Sequence, residues 1–278
     1  MRIACLILLS LSMWASSADD ARKVLTDAAH AKEGDLRKET AFALSLIPAT
    51  DTAAALLDAM LADKDYMVRV AALDSLEELN DTARIPLLKG MLADEVPEVA
   101  FAAAKALWGM KVPEGREALQ SVFEGEMKAK SNFFKKEMMN SWRRMKTPRS
   151  AFLFSVERGI GFVPVPGIGA GYSAMLGMLA DAEFSARAVS LLLVCSENNK
   201  PCDEMLGTAF GDEDWTVRAA AVHLVATKNL TSMQSKLAEL LEDKKDKVKL
   251  RAAAGYLRME ASRLSVPKLS PKKIAKKA

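Results

Sequence analysis

Five stretches of this chain read alike: LADKDYMVR (Leu61 to Arg69), LADEVPEVA (Leu92 to Ala100), LADAEFSAR (Leu179 to Arg187), FGDEDWTVR (Phe210 to Arg218) and LEDKKDKVKLR (Leu241 to Arg251). Their third residues, Asp63, Asp94, Asp181, Asp212 and Asp243, are separated by 31, 87, 31 and 31 positions. A fixed period of this length is the mark of a repeat architecture, in which one small unit recurs and buries its apolar face only against its neighbours.

Each unit reads as two helices. Ahead of the Asp lies an amphipathic run: AAALLDAMLA from Ala53, RIPLLKGMLA from Arg84, SKLAELLE from Ser235. After it, Val68, Ala72 and Leu76 stand at i, i+4 and i+8, one face of a helix. Val99, Ala103 and Leu107 repeat those offsets, as do Val217, Ala221 and Val225. The unit is thus a helix A, a tight acidic turn and a helix B. The turn Asp and its acidic neighbours suit the start of helix B, where a short side-chain oxygen accepts from free backbone N–H groups. The alanines allow close helix approach and are packing devices.

These residues, the recurrent Asp, the Val-Arg pairs Val68-Arg69 and Val217-Arg218, and the Ala that follows, resemble the HEAT-repeat family in its short class. A weaker copy precedes them, with Leu36-Arg37 and Leu44 following Glu33-Gly34-Asp35. The resemblance implies an all-α, right-handed superhelix whose B helices line a concave face. It also implies that Arg69, Arg187, Arg218 and Arg251 form a structural ladder with Asp63, Asp94, Asp181, Asp212 and Asp243 of adjacent repeats. The alternative for such a row of arginines is a site for an anionic ligand, since guanidinium groups present planar donors.

Between Asp94 and Asp181 the period fails. Residues 115–124 read as a helix A and 129–145 as a long helix B with Phe134, Met138 and Trp142 on its apolar face. Pro148 follows, then a short helix at 151–158. Gly159 to Ala180 is an uncharged stretch of 22 residues containing Pro164, Pro166 and six glycines. Its length would span a membrane, but its Pro and Gly content opposes one continuous helix. It reads as a buried connection entering a helix A near Gly171, or as a membrane-contacting or partner-binding loop. Gly169 to Ala174 also fits GxGxxA, but without the strand that a dinucleotide fingerprint requires. The organisation expected is a signal peptide at 1–18, repeats at 19–147, an irregular connection at 148–170, repeats at 171–261 and a basic disordered tail at 262–278.

The two ends speak of location. Arg2, an uncharged run from Ile3 to Trp14 and the small residues Ala15-Ser16-Ser17-Ala18 form a secretory signal peptide. Cleavage is placed after Ala18, with Ser17 as a close alternative, and the mature chain is exported to the periplasm or beyond. Cys5 is lost with it, leaving Cys195 and Cys202. In an oxidising compartment these are expected to pair; free buried thiols or redox chemistry are the alternatives, although CxxC spacing is absent. The tail offers Lys268, Lys272, Lys273, Lys276 and Lys277 to solvent or to an anionic membrane surface.

Chemistry is harder to find. Against 39 basic residues stand 36 acidic ones, a net charge of +3, too balanced for a dedicated nucleic-acid binder. His30 and His223 are the two histidines, and neither belongs to an HExxH or His-Glu pair such as the deoxyhypusine hydroxylases use. No GxSxG elbow or GK[ST] loop occurs. No catalytic residue, metal, cofactor or small-molecule substrate is therefore expected. Asn80-Asp81-Thr82 and Asn229-Leu230-Thr231 are glycosylation sequons in a eukaryotic route. The sequence points to a non-enzymatic exported scaffold that binds protein. Its rivals are a lyase-like enzyme or subunit, by the bilin-lyase relatives of this repeat class, and a membrane-surface adaptor using 159–180 and the tail.

Overall fold

A computed structural model describes residues 17–48, 51–124, 184–195 and 201–265. The described residues form twelve α-helices and no strand. They are α1 (17–29), α2 (Gly34–Leu44), α3 (Asp51–Met60), α4 (Tyr66–Leu79), α5 (Ile85–Met91), α6 (Pro97–Gly109) and α7 (Pro113–Glu124) in an N-terminal array. A C-terminal array holds α8 (Ala186–Val194), α9 (Pro201–Ala209), α10 (Trp215–Thr227), α11 (Gln234–Glu239) and α12 (Asp246–Ser265). The fold is the all-α repeat architecture that the period implies. The second helices of the repeats are α2, α4, α6, α8, α10 and α12.

Local chemistry sets the helix ends. Asp65 and Asp214 cap α4 and α10, accepting from the backbone N–H of Met67 and Thr216, while Ser185 caps α8 from Ala188. The caps of α4 and α10 are thus acidic neighbours of the recurrent Asp, two residues beyond it, while the recurrent Asp itself bonds elsewhere. At the far ends Asn80, Lys111 and Asn229 share one phase of the repeat and adopt left-handed backbone, with φ of 49°, 64° and 52°. Asparagine tolerates this conformation, which gives the two sequon asparagines a structural role.

The periodic positions make the core. Val68, Ala72, Leu76, Val99, Ala103, Leu107, Val217, Ala221 and Val225 are all buried. Two glycines allow unusually close helix approach: a Cβ on Gly115 would lie 2.3 Å from the backbone N of Trp108, and one on Gly255 would lie 2.9 Å from the Cβ of Ala226. These contacts bring α7 onto α6 and α12 onto α10. Helix α7 confirms the helix A expected at 115–124; the helices expected at 129–145 and 151–158, the segment 159–180 and the Lys-rich tail from Lys268 onward lie outside the described residues.

The order of stacking departs from the order of the chain. The B helices contact one another in the sequence α8, α10, α12, α2, α4, α6. The last repeat therefore packs on the first, and the arrays meet in space at α12 and α2. In sequence they are joined through residues 125–183. Period and contiguity in sequence do not dictate which end faces are apolar enough to join; the irregular segment expected at 148–170 lies outside the described residues. Helix α12 also runs to Ser265, so the first residues of the tail expected at 262–278 are helical.

Cys195 closes α8 and Cys202 lies in the first turn of α9; the two form a disulfide with a Cα–Cα distance of 5.4 Å and are buried. The loop between them is short, so its closure entropy is worth about 2–3 kcal/mol. Cys202→Ser is expected to lower the unfolding free energy by about that amount in a denaturant titration, while the parent under reducing conditions loses the same increment.

Candidate functional site

The recurrent arginines occupy the first turn of α2, α4, α8 and α10, and each reaches from its own repeat to the next. Arg37 donates through Nε and Nη2 to both carboxylate oxygens of Asp63, at 2.7 and 2.8 Å. Arg218 holds Asp243 the same way, at 2.7 and 2.9 Å. Arg69 donates through Nη2 to Asp94 at 2.9 Å, and Arg187 grips Asp212 with both Nη groups. The third guanidinium nitrogen turns back to the arginine's own turn: Arg37 Nη1 to the carbonyls of Ala31 and Lys32, Arg69 Nη1 to Asp63, Arg218 Nη1 to Asp212 and Glu213.

Each ladder aspartate serves two partners. Besides the arginine it accepts the backbone N–H two residues on: Asp65 for Asp63, Val96 for Asp94, Asp214 for Asp212 and Lys245 for Asp243. The carboxylate thus shapes its own turn and fastens the preceding repeat to it. The side chains of Arg37, Arg69, Asp63, Asp94 and Asp243 are buried or nearly so, whereas that of Arg187 is 70% exposed.

The charges respond to this geometry. The guanidinium of Arg37 holds the Asp63 carboxyl below the usual range, against the opposing effect of burial. At Asp212 the N–H of Asp214 does most to lower it. Burial pushes Asp243 upward, but the Arg218 guanidinium and the Lys245 N–H together outweigh it and the net shift is downward.

Of the ladder residues expected from sequence, Asp63, Arg69, Asp94, Arg187, Asp212, Arg218 and Asp243 take their places, and Asp181 lies outside the described residues. Arg37 belongs to the ladder as well; its phase matches Arg69, and the missing signal was an aspartate in its own turn, where Ala31 stands. Arg251 does not belong. It lies two residues beyond the ladder phase, which Lys249 occupies, and it instead donates to the carbonyl of Lys247 and lies 3.7 Å from Glu39. Among the described residues, groups of three or more His, Cys, Asp and Glu side chains able to hold a metal do not occur.

Beside the ladder, the outward stripe of α2, α4 and α6 carries Lys38 and Phe42, Val70 and Asp74, and Phe101 and Lys105. Lys105 crosses from α6 to Asp74 of α4 at 2.7 Å. Phe42 is 36% and Phe101 45% exposed. The equivalent positions on α10 (Ala219, His223) and α12 (Leu250, Ala254) are buried, so the open stripe belongs to the N-terminal array. Glu77 lies at its end, between Asp74, Glu78 and Lys105, with its carboxyl packed where Gly109 lacks a Cβ. Burial raises its pKa to about 7, because Lys105 at 3.7 Å serves Asp74 more closely.

Paired helices stacked in one row and fastened by an inter-repeat arginine ladder define an α-solenoid. Residues 22–108, from α1 to α6, match the family model of HEAT repeats, and this part of the chain is built of HEAT repeats. The C-terminal array lies outside that match but carries the same ladder geometry. No curated protein matches the chain.

Two outcomes follow. Arg218→Ala is expected to cost about 2–3 kcal/mol, the loss of a partly buried charged hydrogen-bond pair, whereas Arg187→Ala costs under about 1 kcal/mol because its pair is open to solvent; chemical denaturation reads both. Glu77 binds its proton more tightly in the fold than in the open chain, so stability falls as pH rises from 4.5 to about 7. The ladder carboxylates bind theirs less tightly, so stability falls as pH drops below 3.8. Maximum stability is expected near pH 4–5, with a loss of up to about 3 kcal/mol by pH 8 that Glu77→Gln removes.

Proposed function

We propose that this protein is an exported, non-enzymatic scaffold that binds a protein partner along the open stripe of α2, α4 and α6. HEAT repeats generally mediate protein–protein interaction, and the ladder here is consumed in joining repeats. Its guanidinium groups are already paired with carboxylates and backbone carbonyls, which argues against an anionic ligand. The single observation that carries the reading is the pair of exposed aromatics, Phe42 and Phe101, on a stripe whose counterparts elsewhere are buried. Exposed aromatic side chains flanked by polar residues are the usual anchors of protein interfaces.

Export is supported by the signal-peptide pattern of residues 1–18. With cleavage after Ala18, Asp19 and Asp20 would begin α1, where negative charge is favourable to a helix. No described helix is long and apolar enough to cross a membrane. A surface-adaptor role through 159–180 and the lysine tail rests on segments outside the described residues.

The test is capture from cell-envelope extract with the purified mature chain, comparing the parent with Phe42→Asp and Phe101→Asp. A saturable protein partner should be retained by the parent and lost at least tenfold in the variants, whose melting temperatures stay within about 2 °C of the parent because both sites are exposed. Retention unaffected by either change, or no partner at all, would overturn the reading.

A further inference from the structure

We propose that the seam between α12 and the α1–α2 pair is a separable interface latched by Arg258, and that the stack opens there before its other described contacts give way. The first ground is the ladder itself. At this seam the arginine phase holds Lys249, which pairs with Asp246 of its own helix, and the aspartate phase holds Ala31. The clamp that fastens successive repeats elsewhere is thus missing on both sides.

Covalent connection is the second ground. Within each array a turn of a few residues ties one helix to the next. Across this seam the route along the chain runs through residues 125–183, so no turn of a few residues ties α12 to α1 or α2.

What holds the seam is different in kind. Arg258 donates through Nη1 to the carbonyl of Leu46, at 2.9 Å, just beyond the C-terminus of α2. A cation there meets the free carbonyls and negative end of that helix. Arg22 and Glu260 add a pair at 3.1 Å on an exposed edge, and Lys247 and Arg251 each stand 3.7 Å from Glu39. These are longer than the 2.7–2.9 Å pairs of the buried ladder. The apolar contact is also incomplete: Leu25, Leu44 and Leu56 face Leu257, Ala261 and Leu264 across a cleft of about 210 Å³. Burial disfavours the charged form of Arg258, and Glu78 offsets this only in part. Opening returns that guanidinium to water, which lowers the cost of leaving the closed state.

Such a hinge would let the two arrays change their relative angle while each keeps its own packing. It stands independently of any partner, because it concerns the chain alone. Hydrogen–deuterium exchange on the full chain tests it. In Arg258→Ala, exchange within 17–29, 34–44 and 246–265 should rise at least tenfold, while 66–79 and 97–109 keep the parent's protection and the circular dichroism stays helical. Arg258→Lys should restore part of that protection, and Arg218→Ala should not reproduce the pattern. Should Arg258→Ala fail to fold, the parent at 0.05 and 1 M NaCl supplies the answer, since screening weakens the longer Glu39 and Glu260 pairs more than the buried Arg37, Arg69 and Arg218 pairs. Parent-like exchange in Arg258→Ala, or loss of protection in all helices together, would overturn the proposal, as would salt that changes every helix equally.

Discussion

A pair of helices cannot bury its own apolar face, so a repeat of this length is stable only when a neighbour covers it. Apolar packing alone leaves the angle between neighbours loosely set, because alanine-rich surfaces slide. The ladder arginines of α2, α4, α8 and α10 remove that freedom. The planar guanidinium has donors on several edges, and in α2, α4 and α10 it joins the carbonyls of its own turn to the aspartate of the next. Lysine's ammonium has three donors but no planar fork to hold both carboxylate oxygens at once. Burial would make either charge costly if left alone, and the geometry of Arg37–Asp63 and Arg218–Asp243 leaves neither alone. The aspartate in turn shapes its own loop, so turn formation and repeat stacking depend on one carboxylate.

Where that clamp is absent, the molecule behaves differently. Ala100 ends the arginine series in the N-terminal array, and Lys249 ends it in the C-terminal one. The join between arrays falls where no ladder pair is available, and a helix C-terminus held by Arg258 takes its place. Rigid repeats on both sides of a seam whose ion pairs are longer than the buried ladder's give the stack the proposed place to bend.

The same economy of contacts shapes the surface. On α10 and α12 the outward positions, Ala219, His223, Leu250 and Ala254, are covered. On α2, α4 and α6 they alternate between lysine, aspartate and exposed phenylalanine, with Lys105 and Asp74 bonding across helices. A stripe that is locally charge-paired yet aromatic in part has modest attraction for ions and more for a protein surface. Glu77, at the end of that stripe, is held against α6 by the space at Gly109 rather than by a strong cation, which is why its proton affinity is raised.

Most of the architecture was legible in the sequence because a period is a one-dimensional signal. Thirty-one residues between aspartates established the helical pair, and valine, alanine and leucine at helical offsets established its buried face. The close spacing of Cys195 and Cys202 made their pairing readable. What periodicity could not convey was partner choice. It grouped the aspartate with its acidic neighbours as helix caps, when only the neighbours Asp65 and Asp214 cap and the recurrent aspartate bonds across repeats. It admitted Arg251, because a match of letters does not count turns of helix, and it passed over Arg37, whose turn lacks the signature acid. Above all, the stacking of α12 on α2 depends on which end faces are apolar and on the carbonyls left free at the end of α2. Those are properties of folded surfaces in three dimensions, and only the tertiary structure decides them.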